Sequence, residues 1–314
     1  MNAPRILVVR LGAMGDIIHA LPAVATLRTS LAAARLTWLV EPRWTPLLED
    51  NPFVDEIMHF ERSGWRALLR SLGGLRRRRF DLAVDLQGLL KSSLACALAS
   101  PGNVWGLERR RLREKVAAVF YSHQVETAAV HVIDQYLDVA LAAGAGRAAR
   151  HFPLPRGAPE GTLPSGPFVL ASPRAGWRAK EWPAENYEKL ALGLRAMGLE
   201  FVVNGAPADE AGLRAMANVH VHVSGLPGLI NATRRARAVI GVDSGPMHLA
   251  AALRVPGVAI FGPTDPARNG PPGDSFTVLR DHRAVTSYKR RDEIDPSMRA
   301  ICPEEVLEAL KRRL

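Results

Sequence analysis

A chain of 314 residues, 47% hydrophobic and 23% charged, is long enough for two domains of ordinary size and has the balance of a soluble globular protein. Its apolar runs break off well short of the ~20 residues a membrane-spanning helix needs, and nothing at its start reads as a signal peptide, so a cytoplasmic protein is expected. The formal net charge of +10 points to anionic partners, whereas aromatic residues, at 6%, do not interleave with the arginines as on a nucleic-acid surface.

In chain order, residues 5–10 predict a short buried strand that ends in the turn Leu11-Gly12-Ala13-Met14-Gly15-Asp16. Ile17, Leu21, Val24, Leu27 and Leu31 then recur every three or four residues and mark one face of a helix, with Asp16 at or next to its N-cap. Strands are expected over 36–40, 56–60 and 81–86, and helices over 64–79, 89–98 and 130–142. Arg62, Arg66 and Arg70 fall four apart and form one stripe on a helix, with Arg76, Arg77, Arg78 and Arg79 behind them. Arg109, Arg110, Arg111, Arg113 and Lys115 make a second cluster. Either these are a solvated basic face, or they dock something anionic such as phosphorylated lipid headgroups or nucleic acid.

Residues 144–167 are rich in glycine and proline, lack apolar periodicity and read as an interdomain linker. Beyond them strands are expected over 168–172, 200–204, 219–223, 239–242 and 257–261. Helices are expected over 184–197, 209–217, 229–237, 247–253 and 303–314. Alternation of strand and helix on both sides of the linker predicts two α/β halves, each with a mostly parallel sheet. Cys96 and Cys302 lie far apart and read as packed thiols, not as a disulfide or a metal pair.

Chemistry gathers where strands end. Gly12 and Gly15 make a partial dinucleotide fingerprint without its third glycine, and Asp16 stands where a phosphate would be repelled. Asp16 is therefore either a helix N-cap or a general base at the mouth of a site, and His19 either orients it or is an ordinary surface residue. In the second half Arg174, Arg178 and Lys180 share a loop with Trp177 and Trp182 between a strand and a helix, which suits a clamp on a diphosphate with Lys180 as the point charge. Asp209 or Glu210 either binds ribose hydroxyls or is a helix-terminal acid. The strand over 239–242 delivers Asp243-Ser244-Gly245-Pro246 to a helix N-terminus, an anion site that His248 reaches from one turn inside. The next strand ends nearby in Gly262-Pro263-Thr264-Asp265. His220 and His222 alternate with valines and read as structural. No His, Cys and carboxylate set has metal-ligand spacing, so no protein-bound metal is expected; no cofactor is expected either.

Together these stretches resemble the ADP-heptose:lipopolysaccharide heptosyltransferases, glycosyltransferase family 9. The resemblance is carried by the opening from Ile6 to Pro22, by Asp85-Leu86-Gln87-Gly88-Leu89-Leu90-Lys91-Ser92, by Lys180-Glu181-Trp182-Pro183, and by Val242-Asp243-Ser244-Gly245-Pro246-Met247-His248-Leu249 with Phe261-Gly262-Pro263-Thr264-Asp265. The Met14-Gly15-Asp16 turn with His19 and Pro22, and Gln87-Gly88 before Lys91-Ser92, look most like the heptosyltransferase I branch, which adds the first heptose to the Kdo of the lipopolysaccharide inner core.

The resemblance implies an α/β chain of GT-B fold, two Rossmann-like domains facing across a central cleft. Residues 1–155 would bind the acceptor and 165–300 the nucleotide sugar, and the C-terminal helix, 301–314, has the option of packing back towards the N-terminal domain. It implies inverting, metal-independent transfer from an ADP-heptose donor to a Kdo-lipid A acceptor, with Asp16 as general base and Lys180 facing the diphosphate. Arg174, Gly176, Asp209, Asp243, Ser244, Gly245, Met247 and His248 would bind the donor. Gly15, His19, Arg62, Arg66, Arg70, Gln87, Lys91 and Arg113 would bind the acceptor. Where relatives carry hydroxyl residues in the diphosphate loop this chain has Ala175-Gly176, so those contacts fall to backbone N–H groups or to Arg174 and Arg178. A monomer held peripherally by charge on the cytoplasmic face of the inner membrane is expected, with no nucleic-acid partner. The alternatives are another family 9 transferase, acting like heptosyltransferase II or on a different sugar, and a non-catalytic nucleotide-sugar or nucleic-acid binder of the same fold.

Overall fold

The central strands of each sheet are runs of aliphatic and β-branched residues buried on both faces, the pattern of parallel sheets covered by helices. The computed structural model describes residues 3–61, 64–100 and 102–314. The chain divides into two units, Met1–Pro155 and Arg156–Leu314.

In the first unit β1 (Arg5–Val9), β2 (Arg35–Val40), β3 (Glu56–His59) and β4 (Leu82–Asp85) end within a residue of the expected spans. The helices are α1 (Met14–Ser30), α2 (Trp65–Arg78), α3 (Leu90–Ala99) and α4 (Val132–Ala142). Two strands were not foreseen, β5 (Val104–Leu107) and β6 (His123–Val125), because four and three residues are too few to show a period. All six strands pair in parallel in the order β3-β2-β1-β4-β5-β6.

The second unit repeats that plan. Its strands are β7 (Phe168–Ser172), β8 (Glu200–Gly205), β9 (His220–Val223), β10 (Ala238–Val242), β11 (Gly257–Phe261) and the unforeseen β12 (Phe276–Arg280). Between and after them come α5 (Ala184–Ala196), α6 (Glu210–Arg214), α7 (Leu226–Arg235), α8 (Gly245–Ala252), α9 (Pro266–Asn269), α10 (Pro296–Ala300) and α11 (Pro303–Lys311). The order is β12-β11-β10-β7-β8-β9, again all parallel. Each sheet therefore changes its direction of winding at a central pair, β1 with β4 and β7 with β10. The crevice outside the C-terminal ends of such a pair is where open α/β sheets hold ligands.

Four details depart from the sequence reading. The first helix starts at Met14 with Ala13 as N-cap, so Asp16 sits inside the first turn, not at the cap, and its carboxylate accepts the Ala13 N–H at 3.3 Å. Burial runs nearly all round α1, from Met14 to Leu27, because it packs against α4 as well as the sheet. Part of the expected linker is docked: the Ala158 N–H donates to Pro227 O at 3.1 Å, and the Glu160 carboxylate accepts the Gly225 N–H at 2.6 Å. Cys96 is buried as expected, but Cys302 is exposed, because it caps α11 from outside the core. The apolar face of α11 lies within the second unit, where Val306, Ala309 and Leu310 are buried with Trp182, Tyr187 and Met298.

A single carboxylate ties the first switch-point loop together. Asp85, 2% exposed at the end of β4, accepts the Gln87 and Gly88 N–H groups at 2.8 and 3.1 Å and the Ser92 and Tyr121 hydroxyls at 2.9 and 2.7 Å. Burial pushes its carboxyl up, and the hydrogen bonds from Tyr121, Gln87, Gly88 and Ser92 hold it back only in part. An asparagine would keep an oxygen for the two N–H groups and turn its NH₂ to the two hydroxyl oxygens, with no charge to bury. Asp85→Ala should cost about 3 kcal/mol in urea unfolding at neutral pH, and Asp85→Asn less than about 1 kcal/mol. Equal losses in the two variants would contradict this account.

Candidate functional site

At the second switch point, β10 ends at Val242 and is followed by Asp243, and the loop after β7 turns back so that Lys180 reaches it. Lys180 Nζ donates to Asp243 O at 2.6 Å and to Asp243 Oδ2 at 3.1 Å, while His248 Nε2 lies 3.3 Å from Oδ1. The Lys180 ammonium also stands over the Trp177 ring, 5.3 Å from its centre. Ser244 is the N-cap of α8, yet its hydroxyl makes no cap bond; it is buried without a partner, as is Ser172 Oγ at the end of the neighbouring β7. An uncapped helix start, a matched ammonium and two unused hydroxyls are what an anionic ligand would complete.

The charges here are balanced in a dry setting. Burial alone would push the Asp243 carboxyl up, but the hydrogen bond from His248 and the charge of Lys180 outweigh it and hold it well below the usual carboxylate range. Asp243 is thus a permanent anion that fixes two side chains around the α8 N-terminus. Met247, expected among the donor contacts, is wholly buried and packs where Gly241, lacking a Cβ, lets α8 approach β10. Gly245 is the first residue of α8.

The loop over 173–181 closes on itself more than the sequence suggests. Arg174 pairs with Glu181 at 3.3 Å and lies 3.9 Å from Asp209, and the Ala175 N–H donates to Glu181 Oε1 at 3.3 Å. The Ala175 N–H is therefore not open to a phosphate, which leaves the exposed Gly176 backbone and Arg178. Asp209 closes its own turn by accepting the Ala206 N–H at 3.2 Å. His220 and His222 bond the backbone oxygens of Thr162 and Glu160, at 2.9 and 2.7 Å, as structural histidines do.

In the first unit Asp16 stays 44% exposed on its side chain and forms an ion pair with Arg10, whose own side chain is 7% exposed. Arg10 is fixed from behind: its Nη1 donates to Leu86 O at 2.7 Å, and its guanidinium faces the Tyr136 ring at 5.7 Å. Sequence reading took Arg10 for a strand residue; an arginine ending an otherwise apolar strand beside a carboxylate turn was the available signal. Gln87 Oε1 accepts the Leu11 N–H at 2.8 Å, so Gln87 braces the turn that carries Gly15 and Asp16. Lys91 lies 3.6 Å from Glu41 at the same sheet edge. Gly12 is needed for packing, since a Cβ there would meet the Trp44 indole nitrogen at 2.6 Å. His19 is buried, not on the surface, with its ring 5.9 Å from that of His131. Arg66, Arg70 and Arg113 are exposed, with Arg70 3.8 Å from Glu61; Arg62 lies outside the described residues. Among the described residues no group of three His, Cys, Asp or Glu is placed to hold a metal ion, and no helix is long and apolar enough to cross a membrane.

Residues 65–297 match the model of glycosyltransferase family 9 (heptosyltransferase). The chain belongs to this family. It is 30% identical over 299 residues to lipopolysaccharide heptosyltransferase 1 of Pseudomonas aeruginosa, covering 88% of this chain and 83% of the relative. To lipopolysaccharide heptosyltransferase 2 of Salmonella typhimurium it is 30% identical over 347 aligned positions, covering 98% and 97%. Its fold matches that of the Escherichia coli heptosyltransferase WaaC with ADP at a TM-score of 0.78, 21% identity and coverage of 99% and 100%. This family 9 glycosyltransferase is thus an α/β protein of the GT-B class, as its motifs implied.

The Asp243 arrangement fixes a pH dependence. A carboxyl held below its unfolded value stabilises the fold fully above that value and loses its contribution as pH falls through the lowered one. The stability difference between wild type and Asp243→Asn should stay constant from about pH 8 to pH 5 and shrink only below about pH 4. Urea midpoints at several pH values measure it. Shrinkage already between pH 7 and 5 would contradict the assignment.

Proposed function

We propose that this family 9 enzyme moves heptose from ADP-heptose to the Kdo of the lipopolysaccharide inner core, as a heptosyltransferase I. The observation that carries the donor half of this reading is the Lys180–Asp243–His248 cluster at the uncapped start of α8, with Ser172 and Ser244 unpartnered beside it. A diphosphate seated there meets helix N–H groups and an ammonium whose carboxylate partner also takes a hydrogen bond from His248. Relatives named lipopolysaccharide heptosyltransferase 1 and a solved heptosyltransferase holding ADP support the same donor.

The chemistry follows as a single displacement. Asp16 takes the proton of the acceptor hydroxyl as its oxygen forms a bond to the anomeric carbon, and the bond from that carbon to the β-phosphate oxygen breaks. The electron pair leaves with ADP, whose growing charge is met by Lys180, the α8 N–H groups and His248, and configuration inverts. Asp16 is suited to this because it remains partly open to solvent while Arg10 and the Ala13 N–H hold its carboxylate in place. In this reading Arg174, Gly176, Asp209 and Gly245 complete the donor pocket. Gly15, Gln87, Lys91 and the exposed Arg66, Arg70 and Arg113 face the acceptor, Kdo-lipid A, whose phosphates and carboxylates suit them. The protein would act as a monomer on the cytoplasmic face of the inner membrane.

A second reading, transfer in the manner of heptosyltransferase 2, is favoured by the equal identity to that relative. Offering ADP-heptose with a Kdo-terminated or a heptosyl-Kdo-terminated acceptor separates the two: the proposal expects product only on the first, and product only on the second would replace it. Asp16→Asn should lower turnover by about 10²–10⁴-fold with ADP binding intact, while a variant that fails to fold, by circular dichroism, would return Asp16 to a structural role. Arg66→Gln with Arg70→Gln should raise the acceptor KM and leave the donor KM unchanged; an unchanged acceptor KM would remove these residues from the acceptor site.

A further inference from the structure

The first unit holds four large apolar side chains in solvent on two elements that pack together. Leu90 and Leu94 are 42% and 36% exposed, Val116 and Val119 52% and 79%. Leu90 and Leu94 are one turn apart and share a face of α3. The two valines stand in a 3-10 segment, Lys115–Phe120, in which positions three apart eclipse; they line its outer side, and Ala117 and Ala118 are buried on the other. The two pairs stand on elements that pack together: this segment lies against α3, and the Glu114 carboxylate just before it accepts the Leu90 N–H at 2.8 Å. Exposed apolar residues gathered on neighbouring elements differ from the single ones found on every surface.

Charge and position say what would cover them. Arg113 and Lys115 are exposed at the start of the segment, and neither pairs with a carboxylate among the described residues. Leu112, next to Arg113, lies over Gly88, with its Cδ2 2.8 Å from where a Cβ would stand. That contact holds the segment at the C-terminal end of β4, whose neighbour β1 leads into the Asp16 turn. Apolar tips bordered by unpaired cations suit the boundary of an anionic bilayer, where the tips enter the acyl region and the cations meet phosphates. A second copy of the chain fits less well, since a two-fold contact would set like cations against each other.

We propose that Leu90, Leu94, Val116 and Val119, with Arg113 and Lys115, form the surface by which the first unit docks on an anionic membrane. This rests on the heptosyltransferase reading only in that a lipid-borne acceptor gives docking a purpose. Sedimentation of the full chain with phosphatidylcholine vesicles, with and without phosphatidylglycerol, tests it in the absence of donor and acceptor, so failure of the sugar-transfer reading would not affect the outcome. Wild type should bind the anionic vesicles and not the neutral ones. Val116→Ser with Val119→Ser should weaken that binding about tenfold or more, and Lys115→Gln should weaken it less and reduce its salt dependence. A Val119→Trp variant should gain blue-shifted emission on anionic vesicles alone. Vesicle binding unchanged by the double serine variant would overturn the proposal, as would a lipid-free dimer, seen by analytical ultracentrifugation, that the same variant converts to monomer.

Discussion

The buried carboxylate of Asp243 is the constraint around which the second unit is arranged. A charge taken out of water must be held, and here it is held from two sides: by the Lys180 ammonium, from the loop after β7, and by a hydrogen bond from His248, one turn into α8. Parallel pairing of β7 with β10 makes this possible, since it sets Ser172 and Gly241 side by side and brings both loops to one sheet edge. Once the anion is satisfied, the N–H groups at the start of α8 and the Ser172 and Ser244 hydroxyls remain for a ligand. The same pair that secures the fold thereby serves the anion site proposed for the donor.

The first unit solves a related problem with the signs exchanged. Arg10 is the buried charge, and Asp16 is its partially exposed partner, so the carboxylate is held from behind while one side stays open. Asp85 and Gln87 serve that geometry from the adjacent strand end: one organises the β4–α3 loop and the other reaches across to Leu11. In the proposed role of base, a carboxylate placed by such a frame would need little reorganisation before accepting a proton, which is the advantage of building a site on strand ends and helix starts.

Much of this was legible in the sequence because parallel strands buried on both faces are short apolar runs with abrupt polar ends. The positions of Asp16, Lys180 and Asp243 could be read from where those runs stop. β5 and β6 were missed because four and three residues show no period and are held by neighbours, as Gly106 is by close packing with Tyr121, and β12 because this edge strand buries only Phe276. Roles that depend on tertiary contact were also hidden. Glu181 ties down Arg174 and the Ala175 N–H, Met247 turns inward, and His19 is buried beside His131, none of which spacing alone reveals. Arg10 shows the same limit from the other side: its partner is six residues away in the chain, but its burial is set by Leu86 and Tyr136.

The central claim is that the nucleotide is held by the second unit through the Lys180–Asp243 cluster. Calorimetric titration of the full chain with ADP, comparing wild type with Lys180→Met, tests it most directly. The account predicts that ADP affinity falls by about tenfold or more in the variant, the loss of one charge-assisted contact. A folded Lys180→Met protein that binds ADP as tightly as wild type would contradict it.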